Sequence, residues 1–176
     1  MLVLGDVMLD RFVDGAVTRI SPEAPVPILS QSRIRQMPGG AANVACNLAQ
    51  MGLHVHLIGV CGDDEAGKSL YDELAKLPTI RFDLVTITDR STSLKTRFRA
   101  GSQQILRVDD EVTSDIDAAA AEQFSKYALP AIQDADIVVL SDYAKGALPL
   151  WLIEKIIAHA KAKRRMIIAD PKRADI

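Results

Sequence analysis

Cysteine is nearly absent. Only Cys46 and Cys61 occur in 176 residues, in no recognisable pair, so both are expected to be reduced, core-filling side chains. Histidine is nearly as sparse, with three residues. His54 and His56 stand two apart on an expected strand, His159 falls on an expected helix, and no third ligand stands at a suitable spacing. A zinc-type centre is therefore not indicated, and all three are read as structural. Aromatic residues make up 5%, without the interleaving of rings and cations that makes a nucleic-acid platform. A net charge of −2 gives no global pull toward nucleic acid or an anionic membrane. No signal peptide, long apolar run, repeat or low-complexity tract is evident, so the expected compartment is the cytoplasm.

What is present is an alternation of short apolar runs with longer helical periodicities, which argues for an α/β fold with a mainly parallel sheet. Strands are expected at Met1–Gly5, His54–Cys61, Arg81–Thr88, Ile137–Ser141 and Arg165–Ala169. Helices are expected at Gly40–Met51, Asp64–Leu77, Ile116–Ile132 and Pro149–Lys163. Two segments break the rhythm. Arg11–Met37 is too long for a βα loop, and its prolines exclude a continuous helix. Thr92–Glu111 alternates about Ala100-Gly101-Ser102 as a β-hairpin would. Both read as strand excursions forming a small second layer or lid. The chain starts and stops flush with core strands, which suggests a piece of a longer protein.

The stretch Gly62-Asp63-Asp64-Glu65-Ala66-Gly67-Lys68-Ser69 fits the phosphate-binding pattern G-x-x-x-x-G-K-[ST]. A strand precedes it, and Asp142 ends a later apolar strand as a Walker-B aspartate would. Three carboxylates beside a triphosphate argue against it, since one like-charge pair at about 4 Å costs on the order of 4 kcal/mol at an effective dielectric of 20. The plain alternative is a helix start, with Asp63 as cap and Asp64 and Glu65 complementing the helix dipole.

Better binding chemistry lies elsewhere. Gly39-Gly40 precedes an alanine-rich helix with Asn43 in its first turn, where exposed backbone N–H groups attract hydroxyls or anions. A plain glycine turn is the alternative. Asp6 and Asp10 follow the first strand, at the carboxyl end where open α/β sheets bind ligands, and could accept bonds from a polyol. On the hairpin, Lys95, Arg97 and Arg99 share one face, with Gln103, Gln104 and Arg107 arriving on the return strand. Such a cluster suits a phosphate, or merely a solvated edge. Asp142, Lys145, Asp170 and Lys172 follow two further strands, a combination suited to Mg²⁺ and phosphate, or to loop salt bridges.

The motifs "GDVMLDRF", "RISPEAPVP", "PGGAANVA", "LIGVCGDDEAG", "QQILRVDDE", "LSDYAKGAL" and "DPK" resemble, in the same order, those of the ribokinase (phosphofructokinase-B) sugar kinases, most closely those acting on heptose 7-phosphate. The resemblance implies a ribokinase-like α/β fold: a parallel sheet flanked by helices, with a β-lid (residues about 11–37 and 92–109) over the sugar. It implies that Asp10, Gly39, Gly40 and Asn43 contact sugar hydroxyls. Lys95, Arg97, Gln104 and Arg107 would hold the distal phosphate, Asp142 and Lys145 would border the site, and Asp170 and Lys172 would face the transferred phosphate. ATP and Mg²⁺ are the implied co-substrate and cofactor. A homodimer through the lid, and a C-terminal half followed in many relatives by a nucleotidyltransferase domain, are the implied partners. The family's catalytic aspartate, in a G-A-G-D motif, is expected beyond Ile176, so the 176 residues alone are expected to be inactive. The alternatives are a P-loop NTPase and a non-catalytic sugar-phosphate binding module.

Overall fold

A computed structural model describes residues 1–172. The chain order is β1 (Leu2–Gly5), β2 (Val7–Ile20), β3 (Pro27–Gly40), α1 (Ala41–Gln50), β4 (Val55–Gly62), α2 (Glu65–Ala75), β5 (Ile80–Ile87), β6 (Leu94–Ala100), β7 (Gln103–Asp110), α3 (Ala118–Asp134), β8 (Ile137–Asp142), α4 (Leu150–Ala162) and β9 (Met166–Pro171).

Five strands form one parallel sheet in the order β5-β4-β1-β8-β9. Its central strand is apolar on both faces, as a sheet covered on both sides requires. Val3 points into a core with Leu57, Leu70, Leu74 and the alanines of α1. Leu2 and Leu4 point the other way, against Phe124 and Ile132 of α3 and Leu152 and Ile156 of α4. Each such aliphatic side chain contributes about 1.5–3 kcal/mol on burial. Cys46 and Cys61 are buried and free, as core filling requires.

The helix ends follow local chemistry. Helix α1 stops at Gly52, whose φ of +87° suits glycine. There the Leu53 N–H donates to the Leu48 carbonyl and the Gly52 N–H to the Ala49 carbonyl, a Schellman arrangement. Asp117 caps α3 by accepting from the Ala120 N–H at 2.8 Å. Pro149 stands one residue before α4.

The remaining strands form a second sheet in the order β3-β2-β6-β7. It is longer than the excursions expected at 11–37 and 92–109. Val7 and Met8 already pair with Gly40 and Gly39, so the glycine pair ends a strand instead of forming a free turn. Pro38 is tolerated because β3 is an edge strand. Strand β9 is the outermost described strand on this side of the main sheet, with Met166 and Ile168 exposed.

Candidate functional site

The candidate residues gather where the second sheet leaves the carboxyl end of β1 and meets the loop after β8. Chain direction changes at Asp6, between β1 and β2. This residue is 2% exposed and is not available to a polyol. Its carboxylate accepts the N–H groups of Tyr143 at 2.8 Å, Lys145 at 3.0 Å and Ala147 at 3.0 Å. Burial pushes its carboxyl above the ordinary range, the three N–H bonds pull it back, and the charge of Asp142 adds to the rise. Asp6 therefore shapes the β8–α4 loop, and its expected role as a ligand acceptor is replaced by a structural one.

Strand register lays out the lid face as rows. Arg35, Phe12, Arg97 and Arg107 lie side by side across the four strands. Met37, Asp10, Lys95 and Asp109 form a neighbouring row, and Arg33, Asp14, Arg99 and Gln104 the other. Lys95, Arg97, Gln104 and Arg107 are thus on one face. Arg107 is there because of a bulge between Phe98 and Arg99, which shifts the pairing by one residue and so reverses the face of everything beyond it.

Five cations of this face, Arg35, Lys95, Arg97, Arg99 and Arg107, have carboxylate partners that no local pattern in the sequence indicates. Arg97 pairs with Asp10. Asp14 holds Arg99 at 2.7 Å and Arg35 at 3.1 Å, and Arg99 with Arg35 keeps its carboxyl below the ordinary range. The guanidiniums of Arg35, Arg97 and Arg99 lie 5.3–5.5 Å from the Phe12 ring centroid, a cation–π distance. Asp109 takes Arg107 at 2.9 Å and Lys95 at 3.0 Å. Glu111, just past β7, takes Lys95 at 2.9 Å and Lys145 at 2.6 Å.

Gly39 and Gly40 make close approaches. A Cβ on Gly39 would run into the Asp10 carboxylate, and one on Gly40 into the Asp6 carbonyl oxygen. Helix α1 begins here without a side-chain cap, and Asn43 is exposed in its first turn. Asp142 is buried at the end of β8. It accepts from the Ala144 N–H at 2.9 Å through its side chain and from the Lys172 N–H at 2.9 Å through its carbonyl. Asp170 on β9 pairs with Ser141 on β8, and both Asp170 and Lys172 are exposed.

The lookalike loop is already filled from within. The Gly62 N–H donates to Thr92 Oγ1 at 2.8 Å, and the Gly67 N–H to Asp64 Oδ1 at 2.7 Å. Asp64 also accepts the Thr92 N–H at 2.7 Å. Burial works against its charge, but the Thr92 and Gly67 bonds hold its carboxyl below the ordinary range. The helix cap is therefore Asp64, one residue after the expected Asp63. A Cβ on Gly62 would strike the Arg90 carbonyl, and one on Gly67 the Gly62 carbonyl. Lys68 points away, its side chain 75% exposed and 4.0 Å from Asp63. The glycines thus serve close packing, and two backbone donors of the loop are occupied.

A cavity of about 600 Å³ opens at the opposite, amino end of the strands, lined among others by His54, His56, Asp83 and Tyr127. There His56 Nε2 meets Asp83 at 2.6 Å, which accounts for that histidine structurally. No group of three metal-ligating side chains, and no helix long and apolar enough to cross a membrane, occurs among the described residues.

The bifunctional protein HldE of Azorhizobium caulinodans is 50% identical over 172 residues, covering 97% of this chain and 36% of the relative. The chain therefore spans little more than a third of that relative's length. A possible 1-phosphofructokinase from Thermotoga maritima superposes with a TM-score of 0.74 at 18% identity, covering 96% of this chain and 53% of that one. Ribokinase from Giardia lamblia does so with 0.72 at 16% identity, covering 99% and 56%. The parallel sheet with flanking helices is thus ribokinase-like. The profile of the pfkB family of carbohydrate kinases matches residues 1–175, and the chain belongs to that family.

Proposed function

We propose that this chain is the substrate-binding portion of an ATP-dependent kinase that phosphorylates D-glycero-β-D-manno-heptose 7-phosphate at C1, giving the 1,7-bisphosphate for ADP-heptose and lipopolysaccharide core synthesis. The observation that carries this reading is the charged lid face. Its row of Arg97 and Arg107, flanked by Lys95 and Gln104, stands beside Asp10 and the open N-terminus of α1. Carboxylate and amide groups suit sugar hydroxyls, and cations suit the distal phosphate. The substrate assignment rests on the motif resemblance, which the likeness to HldE supports. Asp10, Gly39, Gly40 and Asn43 would bind the sugar, and Asp142 and Lys145 would border it. Asp170 and Lys172 would face the transferred phosphate. ATP would supply the phosphoryl group and Mg²⁺ would neutralise its charge; no metal ligand is assigned within residues 1–172. A cytoplasmic setting goes with this reading.

The test is ADP release from Mg-ATP with heptose 7-phosphate, using the longer protein. Turnover is expected, and Lys68→Ala should leave it within about two-fold, as surface substitutions commonly do. No turnover, or its loss on Lys68→Ala, would sink the reading, the second result in favour of the P-loop. The 176-residue chain alone is expected to bind the sugar phosphate without turnover.

A lid homodimer is the second part of the proposal. The other lid face carries Ile34, Val13, Phe98 and Leu106 in one row and Val108 in the next. Ile34, Leu106 and Val108 are about half exposed, an apolar strip that a second copy would cover. Sedimentation should give a dimer, and Leu106→Asp with Ile34→Asp a monomer; a wild-type monomer would refute the pairing.

A further inference from the structure

We infer that Glu111 is a positioning residue, one carboxylate that fixes a lid lysine and a core lysine in a single array facing the sugar phosphate. This deepens the kinase reading and rests on it.

Glu111 is the first residue after β7, and its side chain spans two layers. Oε2 accepts from Lys95 on β6 and Oε1 from Lys145 on the β8–α4 loop. Burial works against its charge, but Lys145 and Lys95 hold the Glu111 carboxyl below the ordinary range. Lys95 is correspondingly held above the ordinary lysine range by Glu111 and Asp109, against the opposing pull of burial.

The backbone around Glu111 does not depend on this side chain. Arg90 donates to the carbonyls of Val112 at 3.1 Å, Ser114 at 3.0 Å and Lys145. The Lys145 N–H is separately held by Asp6. Arg90 and Asp6 therefore already join the root of the lid to the loop. What Glu111 adds is charge and direction: it brings two ammonium groups together that would otherwise repel, and aims them from opposite sides. Among the described residues, the Lys145 ammonium pairs with Glu111 alone, whereas that of Lys95 also pairs with Asp109. Loss of Glu111 should therefore release Lys145 more than Lys95.

The test is a steady-state comparison in the longer protein. Glu111→Gln should raise KM for the sugar phosphate roughly ten-fold or more, as removal of a charged hydrogen-bond partner commonly does, with KM for ATP within about two-fold. Adding it to Lys145→Met should give little further loss, because both changes remove one coupled interaction. Glu111→Asp, which keeps the charge, should recover part of the affinity. Additive effects with Lys145→Met, equal rises in both KM values, or no change would overturn the proposal. Should Glu111→Gln fail to fold, Glu111→Asp must itself show the sugar-selective rise, and wild-type KM values there would overturn it. Absence of wild-type turnover would overturn both this role and the kinase reading, whereas turnover with an unmoved Glu111→Gln overturns only the former.

Discussion

Asp6→Ala is expected to lower stability by about 3 kcal/mol or more, because one buried and two half-buried N–H groups lose a charged acceptor at once. Those donors belong to Tyr143, Lys145 and Ala147, so the loop that carries Lys145 should loosen first. Asp6→Asn should be nearly as harmful. Tyr143 and Lys145 share one carboxylate oxygen and Ala147 uses the other. An amide has one acceptor to offer these two sides, and its NH₂ would confront a donor. Urea titration of the 176-residue chain at neutral pH measures both variants. A loss under about 1 kcal/mol, within the range of one ordinary hydrogen bond, would show that the loop is held elsewhere.

The adjacent glycines should respond in opposite ways. Gly40 has φ +57° and ψ −134°, a conformation hostile to a side chain, and its Cβ would meet the backbone carbonyl of Asp6. That carbonyl already accepts the Ala41 N–H at 2.9 Å, so it has no easy retreat. Gly40→Ala should cost about 2–4 kcal/mol, strain and overpacking together. At Gly39 the obstacle is the end of the Asp10 side chain, which can rotate away. Gly39→Ala should therefore cost under about 1 kcal/mol in stability, while displacing Asp10 from Arg97 and weakening sugar-phosphate affinity roughly ten-fold. Thermal melts combined with calorimetry separate the two. Equal stability losses would mean that Asp10 is as immobile as backbone.

The element pattern was largely legible in the sequence because its signals are local. Apolar runs, the glycine after α1 and the proline before α4 act within a few residues of themselves, and the elements fall close to where they were expected. The charge pairing was less legible because it depends on register. Lys95 meets Asp109 only through the β6–β7 alignment, and the bulge after Phe98 has no marker in "RFRAGSQQILR". Glu111 reads as one more acid in "RVDDE"; nothing local shows that it will land beside Lys145. Arg90 and Thr92 were missed for the same reason, since their partners lie across loops. Asp6 looked like a ligand residue because the end of a central strand is where ligands bind. Its actual partners lie 137 to 141 residues further along, beyond the reach of any local pattern.

That separation has a kinetic side. Strand β1 is made before the other described strands and sits at the middle of the sheet, yet one of its two neighbours is β8. During synthesis its β8-facing edge must wait until nearly the whole described chain has left the ribosome. Contacts this distant in sequence make folding slow and leave apolar strand edges exposed meanwhile. The lid hairpin, with its neighbouring strands and short turn, can form early. The loop bearing Lys145 is held by Asp6, so the proposed binding surface, which needs both, should form late.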